Sequence, residues 1–479
     1  MDKTFLLSQT LSLTILIIIC LFFSLLGLYY SKKFKGMNNY LTANRNIGLF
    51  SLTTSLVASA LGAWILFGPV AAATWGGLGA VIGYALGTAF PMIFFIYLGK
   101  KIRNELSKGS SLIQFMRKRF GKSLFKLILI MTIFYMFVFL CAEVTAVAIL
   151  INFISGTQLW ITALIVLLTT LSYTLYGGLR VSIFTDNIQM IVIGVILLIA
   201  TTNIVSFTSE EFSFNYIQKK NPQFLSSSYL PSYTAGITFF IAVAATNLFH
   251  QGNWQRVFAA RSYSILKKSL IISFFLIVPI VFFMGFTGMV SFSIDPNSRP
   301  DLGFFTLLFK EQIELMTLII IILGLALTIS TVDTLVNAIS SLFVVDGKAT
   351  FNFNKKTDYL RLSKYFIIFL SFIAFFIASK GFDILYLFLL ADLFCCAFVF
   401  TVFYSFYNKK ISEKTAYLSI LVGLLGGFLM FPFPDFSKSL LVGIIFPKET
   451  FIPFINQSLL FLSFLSATLL PIIILKIKK

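Results

Sequence analysis

Two hydroxyls and a carboxylate sit where the surrounding residues are oil. Ser330 and Thr331 are adjacent and Asp333 follows two residues on, between the largely apolar runs 315–326 and 335–345. Lipid rewards neither hydroxyl, since a polar group in hydrocarbon needs a partner. Two chemistries account for them. The side chains can hydrogen-bond back to their own helix carbonyls, as Ser and Thr commonly do in membrane helices. Alternatively, their oxygens replace part of the water shell of a small hard cation such as Na+, with freed backbone carbonyls completing the set.

The elements that must carry this motif follow from composition. The chain has 479 residues, 58% hydrophobic and only 11% charged. That is the profile of an all-α polytopic membrane protein. A helix needs about 20 apolar residues to cross a bilayer, and thirteen stretches qualify. The second is 47–74, the fourth 124–153, the sixth 184–206, the seventh 234–258, the ninth 313–345, the eleventh 382–406 and the last 453–475. The net charge of +19 does not signal nucleic acid. Roughly three quarters of the Lys and Arg residues fall in alternate loops, at 31–46, 99–123, 177–183, 256–268, 346–364, 407–414 and the tail. This asymmetry predicts a multi-pass protein of the plasma (inner) membrane, N-terminus outside and C-terminus cytoplasmic. The first apolar run is too long for a cleaved signal peptide. The four cysteines all lie within spans and offer neither metal spacing nor a disulfide framework. Gly121-Lys122-Ser123 lacks the leading glycine of a phosphate loop, Met116 standing there, so no ATP-driven pump is expected.

Transporters bind where helices are interrupted, because unwound backbone exposes polar groups at mid-membrane depth. The second span has small residues at its centre, from Ala58 to Ala63, and then Gly68-Pro69. Proline withdraws a backbone donor, so a break or a kink is expected there. The seventh span carries the polar run Thr246-Asn247 and His250-Gln251-Gly252-Asn253. It lies five spans later, the spacing of two inverted five-helix halves. His250 is the chain's one histidine, and no proton relay is assigned to it.

Four segments in order resemble the sodium:solute symporter family, which includes sodium/proline and sodium/sugar transporters. Tyr176-Gly177-Gly178 followed by Thr185-Asp186 and Gln189 is similar to its YGG turn and TD-x-x-Q helix. Gln255-Arg256 through Ser262 is similar to its QR-x-x-AA-x-S segment. Ser330-Thr331-Val332-Asp333 matches the ST-x-D of its ion helix, and Ala63-Trp64-Ile65-Leu66-Phe67-Gly68 echoes the GWLLMG of the proline branch. The likeness covers roughly residues 40–410. It implies a LeuT-like 5+5 inverted-repeat core in one transmembrane domain. Residues 1–45 would hold an extra helix and loop, 46–207 the first repeat, 208–407 the second, and 408–479 two C-terminal helices. It also implies a sodium site formed by the carbonyls of Ala58, Leu61 and Leu327 and the hydroxyls of Ser330 and Thr331. Asp186 would lie on the ion path, with Arg180 as a partner; an N-cap carboxylate is the plainer alternative.

Departures from the family limit the solute. Ala60 and Gly62 stand where the proline branch carries an aspartate and a serine, and Thr88 stands near the carboxylate position of the sugar branch. The chain has its own intramembrane acids, Glu143 and Asp392. A carboxylate at such depth is costly unless it is paired, protonated or facing water, so function is the default expectation. The expected reading is a sodium-coupled secondary symporter, not an enzyme, importing a small organic solute by alternating access. A zwitterion such as proline is the first candidate, with Gly62, Trp64, Phe67, Glu143, Asn247, Gln251 and Asp392 as solute contacts. Partners are the solute, Na+ and the lipid bilayer. No cofactor, catalytic residue or nucleic acid is implied, and oligomeric state is not legible. Proton coupling through Glu143 or Asp392, or an uncoupled facilitator or channel for urea or a monocarboxylate, stays open.

Overall fold

Continuous runs of Leu, Ile, Phe and Val leave the backbone only itself as a partner in lipid, which selects helix. The computed structural model describes residues 5–34, 36–310, 313–350, 358–436, 438–445 and 458–477. Among these residues the regular elements are all helical, apart from two isolated bridges. The long ones are α1 (Gln9–Ser31), α2 (Leu49–Ala60), α3 (Gly68–Glu105), α4 (Lys122–Ser155), α5 (Leu159–Phe207), α6 (Leu230–Phe249), α7 (Gln251–Ala259), α8 (Tyr263–Ile294), α9 (Ile313–Leu342), α10 (Tyr359–Ala378), α11 (Ile384–Tyr404), α12 (Glu413–Met430) and α13 (Leu459–Ile477).

Among the described residues, eleven helices are long and apolar enough to cross a membrane. Two of them change direction inside. α3 turns at Gly77 (φ 55°, ψ −139°) and α5 at Gly178 (φ 57°, ψ −156°), conformations that L-residues rarely adopt. At Gly178 a side chain would also run into Tyr40. The expected YGG turn is therefore a one-residue reversal and not a loop over 177–183. Thirteen passes are compatible with these helices if both are divided at their glycines and α2 is joined to the limb before Gly77. The start of the expected last span, 453–457, and part of the loop 346–364 lie outside the described residues.

Both expected interruptions are present, with altered boundaries. α2 ends at Ala60, a 3-10 turn spans Ala63–Leu66, and α3 begins at Gly68 with Pro69 in its first turn. The proline thus starts a helix, where its missing N–H costs nothing, and is not the cause of the break. The second interruption is a single non-helical residue, His250 (φ −58°, ψ 108°), between α6 and α7.

The core places these interruptions side by side. α8 packs along α3 and α2, α6 along α3 and α11, and α9 against α5, α4 and α2. α9 is buried almost throughout from Leu323 to Leu342, as befits a helix carrying six hydroxyl side chains in that stretch. α12 and α13 pack on each other beside α11.

Candidate ion and solute site

The interruption after α2 frees backbone oxygens. Its last helical hydrogen bond runs from the Leu61 N–H to the Val57 carbonyl at 3.0 Å. The Ala58 and Leu61 carbonyls lie beyond it, among the groups a helix end leaves without an intrahelical donor. α9 passes this end, and its adjacent hydroxyls diverge because successive helical residues point about 100° apart. The Ser330 hydroxyl donates to Asp186 Oδ1 at 2.6 Å, and the Thr331 hydroxyl donates back to the Leu327 carbonyl at 3.1 Å. The two sequence-level chemistries thus coexist: Thr331 bonds to its own helix, while Ser330 reaches across to α5. Both oxygens keep lone pairs. A set of neutral oxygens, two hydroxyls and three carbonyls, is of the chemical type that suits Na+.

Asp186 is no N-cap. It lies inside α5, eight residues past the Gly178 reversal, and its carboxylate is fully buried. Its cationic partner is Arg256, at 2.7 Å with both side chains at 0% exposure, which replaces the expected Arg180. Arg180 instead bonds the Ala43 carbonyl and lies over the Phe34 ring. Counting Arg256 as the first residue of the basic loop 256–268 hid this pairing, because the residue lies inside α7. Ser55 donates to Asp186 at 2.5 Å, and Arg256 also donates to the Ser55 and Thr334 hydroxyls and the Gly252 carbonyl. One ion pair therefore ties α2, α5, α7 and α9 together.

Asp333, one helical turn on, was read only as part of a motif. It accepts the Tyr173 hydroxyl at 2.8 Å, Ser182 at 2.8 Å and Thr185 at 3.0 Å. Tyr173 precedes Gly178 and the other two follow it, so Asp333 clasps both limbs of α5.

A separate cavity of ≈ 30 Å³ lies between the two interruptions. That volume holds about one water, too little for an organic solute. Its walls include Ser59 and Ala60 from α2, Thr246, Asn247 and His250 from α6 and its end, Thr331 from α9, and Asp392 from α11. Trp64, Tyr84, Phe139 and Phe388 supply aromatic faces. Trp64 stacks on Tyr84 at 5.5 Å and meets Phe388 edge-on at 6.4 Å. Of the expected solute contacts, Trp64, Asn247 and Asp392 converge here. Phe67 does not, its ring packing on Phe305 at 5.4 Å. Gln251 does not either, since its amide donates to the Ser110 carbonyl at 2.9 Å beyond the C-terminal end of α3. Gly62 and Glu143 lie one layer behind: Glu143 Oε2 accepts the Ala63 N–H at 2.9 Å. Tyr84, Phe139 and Phe388 were missed because aromatic residues in apolar spans carry no periodic mark. Thr246, part of the polar run but not among the expected solute contacts, donates its hydroxyl to Asp392 Oδ1 at 2.6 Å.

The second interruption is closed by side chains of the next helix. Trp254 Nε1 donates to the Leu248 carbonyl at 2.8 Å and Asn253 to the Asn247 carbonyl at 3.2 Å. The polar run is thus its own capping set, which lets a helix end inside lipid without orphaned carbonyls.

Comparison with known proteins bears on this architecture. Residues 40–423 match the sequence model of the sodium:solute symporter family. A spermidine transporter of Candida albicans, DUR31, is 26% identical over 380 residues, 79% of this chain and 71% of that protein. The sodium/glucose cotransporter of Vibrio parahaemolyticus is 28% identical over 312 residues, covering 58% of this chain and 54% of its own length. The chain thus spans about half of the sodium/glucose cotransporters it matches. Among solved structures, a Na+-coupled sialic acid symporter in a substrate-bound outward-open state superposes with TM-score 0.72 over 96% of this chain and 98% of its own, at 18% identity. Mhp1, a nucleobase-cation-symport-1 family transporter, gives 0.56 over 92% of this chain and 95% of its own, at 14% identity. These likenesses fix the fold.

Proposed function

Because the chain belongs to the sodium:solute symporter family, we propose that it is a sodium-coupled symporter whose ion binds at the end of α2 and whose small organic solute binds between Trp64 and Asp392 once the helices part to enlarge the one-water cavity there. One observation carries the reading. Thr331 lines the cavity together with Ser59 and Ala60, the last residues of α2, so the end of α2 and the hydroxyl-bearing turn of α9 share one wall. An ion that draws α2 onto α9 also sets one side of the solute chamber, which is the reciprocal linkage that symport requires.

Asp392 directs the choice of solute. It is buried, takes one hydroxyl and, among the described residues, has no cationic partner. A solute bearing a positively charged nitrogen, either an amine or a zwitterion such as proline, would supply one. The likeness to a polyamine transporter supports this more than the sugar-transporter likenesses do. Inward movement of Na+ supplies about 2.3 kcal/mol per 100 mV, and a tenfold gradient adds about 1.4 kcal/mol. Together they suffice for a few-hundredfold accumulation of a neutral solute. A cationic solute would itself be drawn inward by the same potential. The charge asymmetry of the loops favours a cytoplasmic C-terminus.

The test is thermal unfolding of the purified protein in NaCl against choline chloride at equal ionic strength and pH. Sodium should raise the midpoint, and Ser330→Ala with Thr331→Ala should remove that rise without lowering the midpoint in choline by more than a few degrees. Equal midpoints in the two salts for the unaltered protein would refute sodium binding. A rise that follows pH instead of sodium would favour proton coupling.

A further inference from the structure

The unwound turn after α2 exposes backbone N–H groups near the depth of the cavity, where positive partial charge suits the anionic end of a solute. Here that place is taken from within. Glu143 projects from the middle of α4 and accepts the Ala63 N–H at 2.9 Å through Oε2, while its Oε1 is buried without a hydrogen-bond partner. Gly62 permits the approach, because a side-chain carbon there would overlap the carboxylate. Across the aromatic faces stands Asp392, whose one side-chain hydrogen-bond partner among the described residues is the Thr246 hydroxyl. Neither acid has a salt bridge among the described residues, and no Lys or Arg lines the cavity. The chamber therefore offers the Asp392 carboxylate and π faces at its wall, with the Glu143 carboxylate one layer behind, an environment for a cation.

Resting on the symport reading above, we propose that the solute is an aliphatic amine lacking a carboxylate, its ammonium received by Asp392, and that Glu143 excludes zwitterions by occupying the N–H their carboxylate would need. A zwitterion entering the chamber would bring a third carboxylate facing Glu143 with no cation to offset it. Repulsion of the wrong ligand is a recognised way to build specificity. On this reading a proline-like zwitterion is disfavoured.

Cadaverine and lysine differ only by the carboxylate, so they form the decisive pair, with glucose as the neutral control. Uptake into proteoliposomes is measured with an inward Na+ gradient and with choline. Cadaverine uptake should exceed lysine uptake by about tenfold or more, and Asp392→Asn should reduce it by at least about thirtyfold, in line with loss of a charge-assisted hydrogen bond. Asp392→Asn should still show the sodium-induced rise in unfolding midpoint, which separates lost binding from lost fold. Glu143→Gln keeps an acceptor for Ala63 but removes the charge, and should narrow the cadaverine-to-lysine ratio. Sodium-driven uptake of lysine or glucose without cadaverine would overturn the amine inference while leaving sodium symport standing. Cadaverine uptake indifferent to sodium would do the reverse. Absence of cadaverine uptake in both salts, or undiminished uptake by Asp392→Asn, also overturns the proposal.

Discussion

Asp186 and Asp392 are both buried carboxylates, and their surroundings are opposite. Asp186 is saturated, with an arginine at 2.7 Å and the hydroxyls of Ser55 and Ser330 at 2.5 and 2.6 Å. Asp392 has one hydroxyl on one oxygen and an aromatic cavity beyond it. A charge whose partners are all built in serves to join helices, whereas one left uncompensated awaits something from outside. Depth in the membrane alone does not distinguish them. The count of partners does.

The contrast breaks most visibly at Arg256. Arg256→Met leaves Asp186 buried without its cation, and removing one member of such a pair costs about 3–5 kcal/mol. The expected outcome is a protein that expresses poorly and melts far below the unaltered chain. Arg256→Met with Asp186→Asn removes both charges and should recover most of the midpoint. Thermal unfolding of the single and double variants, in choline to avoid any ion effect, measures this. A single variant as stable as the parent would show that the pair contributes nothing to the fold.

A smaller loss is expected at Gly62, which sharpens the comparison by moving only the acid behind the cavity. The methyl of Gly62→Ala meets the Glu143 carboxylate, so either the acid or the turn must shift. Overpacking of a filled site costs typically about 1–3 kcal/mol. Melting should fall accordingly, while Arg256 and Asp186 remain untouched. Glu143→Gln should not rescue it, since the side chain is the same size. Glu143→Ala should restore room, and recovery in the double variant is the measurement that decides.

How far these sites could be read from sequence depends on whether their signal is local. The interrupted spans, the ion helix and the class of protein were legible because polar residues in oil are conspicuous one at a time. Ser330, Thr331 and Asp392 were found that way, as was Asp186. Pairings were not legible. Arg180 is close to Asp186 in sequence, but Arg256 is its partner, because the Gly178 reversal and the α6–α7 break bring α5 and α7 together from 70 residues apart. Phe67 and Gln251 were assigned to the solute because they neighbour the breaks. A break of one residue at His250, however, turns Gln251 toward Ser110 and away from the cavity. The proline at 69 points to the wrong end of the first interruption, since it sits in the first turn of α3 when α2 has already ended nine residues earlier.

Ser330 tests whether the two regions are independent. Its hydroxyl donates to Asp186, which has two other donors, so its loss leaves that acid paired. The expected cost to the fold is one hydrogen bond, about 1 kcal/mol. If the same oxygen also contacts Na+, Ser330→Ala should raise the sodium concentration for half-maximal stabilisation by about tenfold, or about 1.4 kcal/mol. Binding of amine at saturating sodium should be unchanged. A sodium titration by thermal unfolding checks the first expectation, and an amine titration at high salt the second.

The smallest effect is expected at Thr246, the one built-in partner of Asp392. Its hydroxyl has a single proton, shared between Asp392 Oδ1 at 2.6 Å and the Ala242 carbonyl at 3.1 Å. Thr246→Val keeps the shape and removes the donor. In a saturated site such a loss would be absorbed by other donors, but Asp392 has none among the described residues. The carboxylate should therefore lose its fixed orientation toward the cavity. An amine would bind to it more weakly, by about 1 kcal/mol or roughly fivefold. Sodium stabilisation should be unaffected, because Thr246 lies on α6 and makes no contact with the freed α2 carbonyls through that hydroxyl. Cadaverine titration of Thr246→Val beside Thr246→Ser separates the donor from the methyl. Serine should behave as threonine does, and equal affinities for valine and serine variants would mean that Asp392 is held by something other than this hydroxyl.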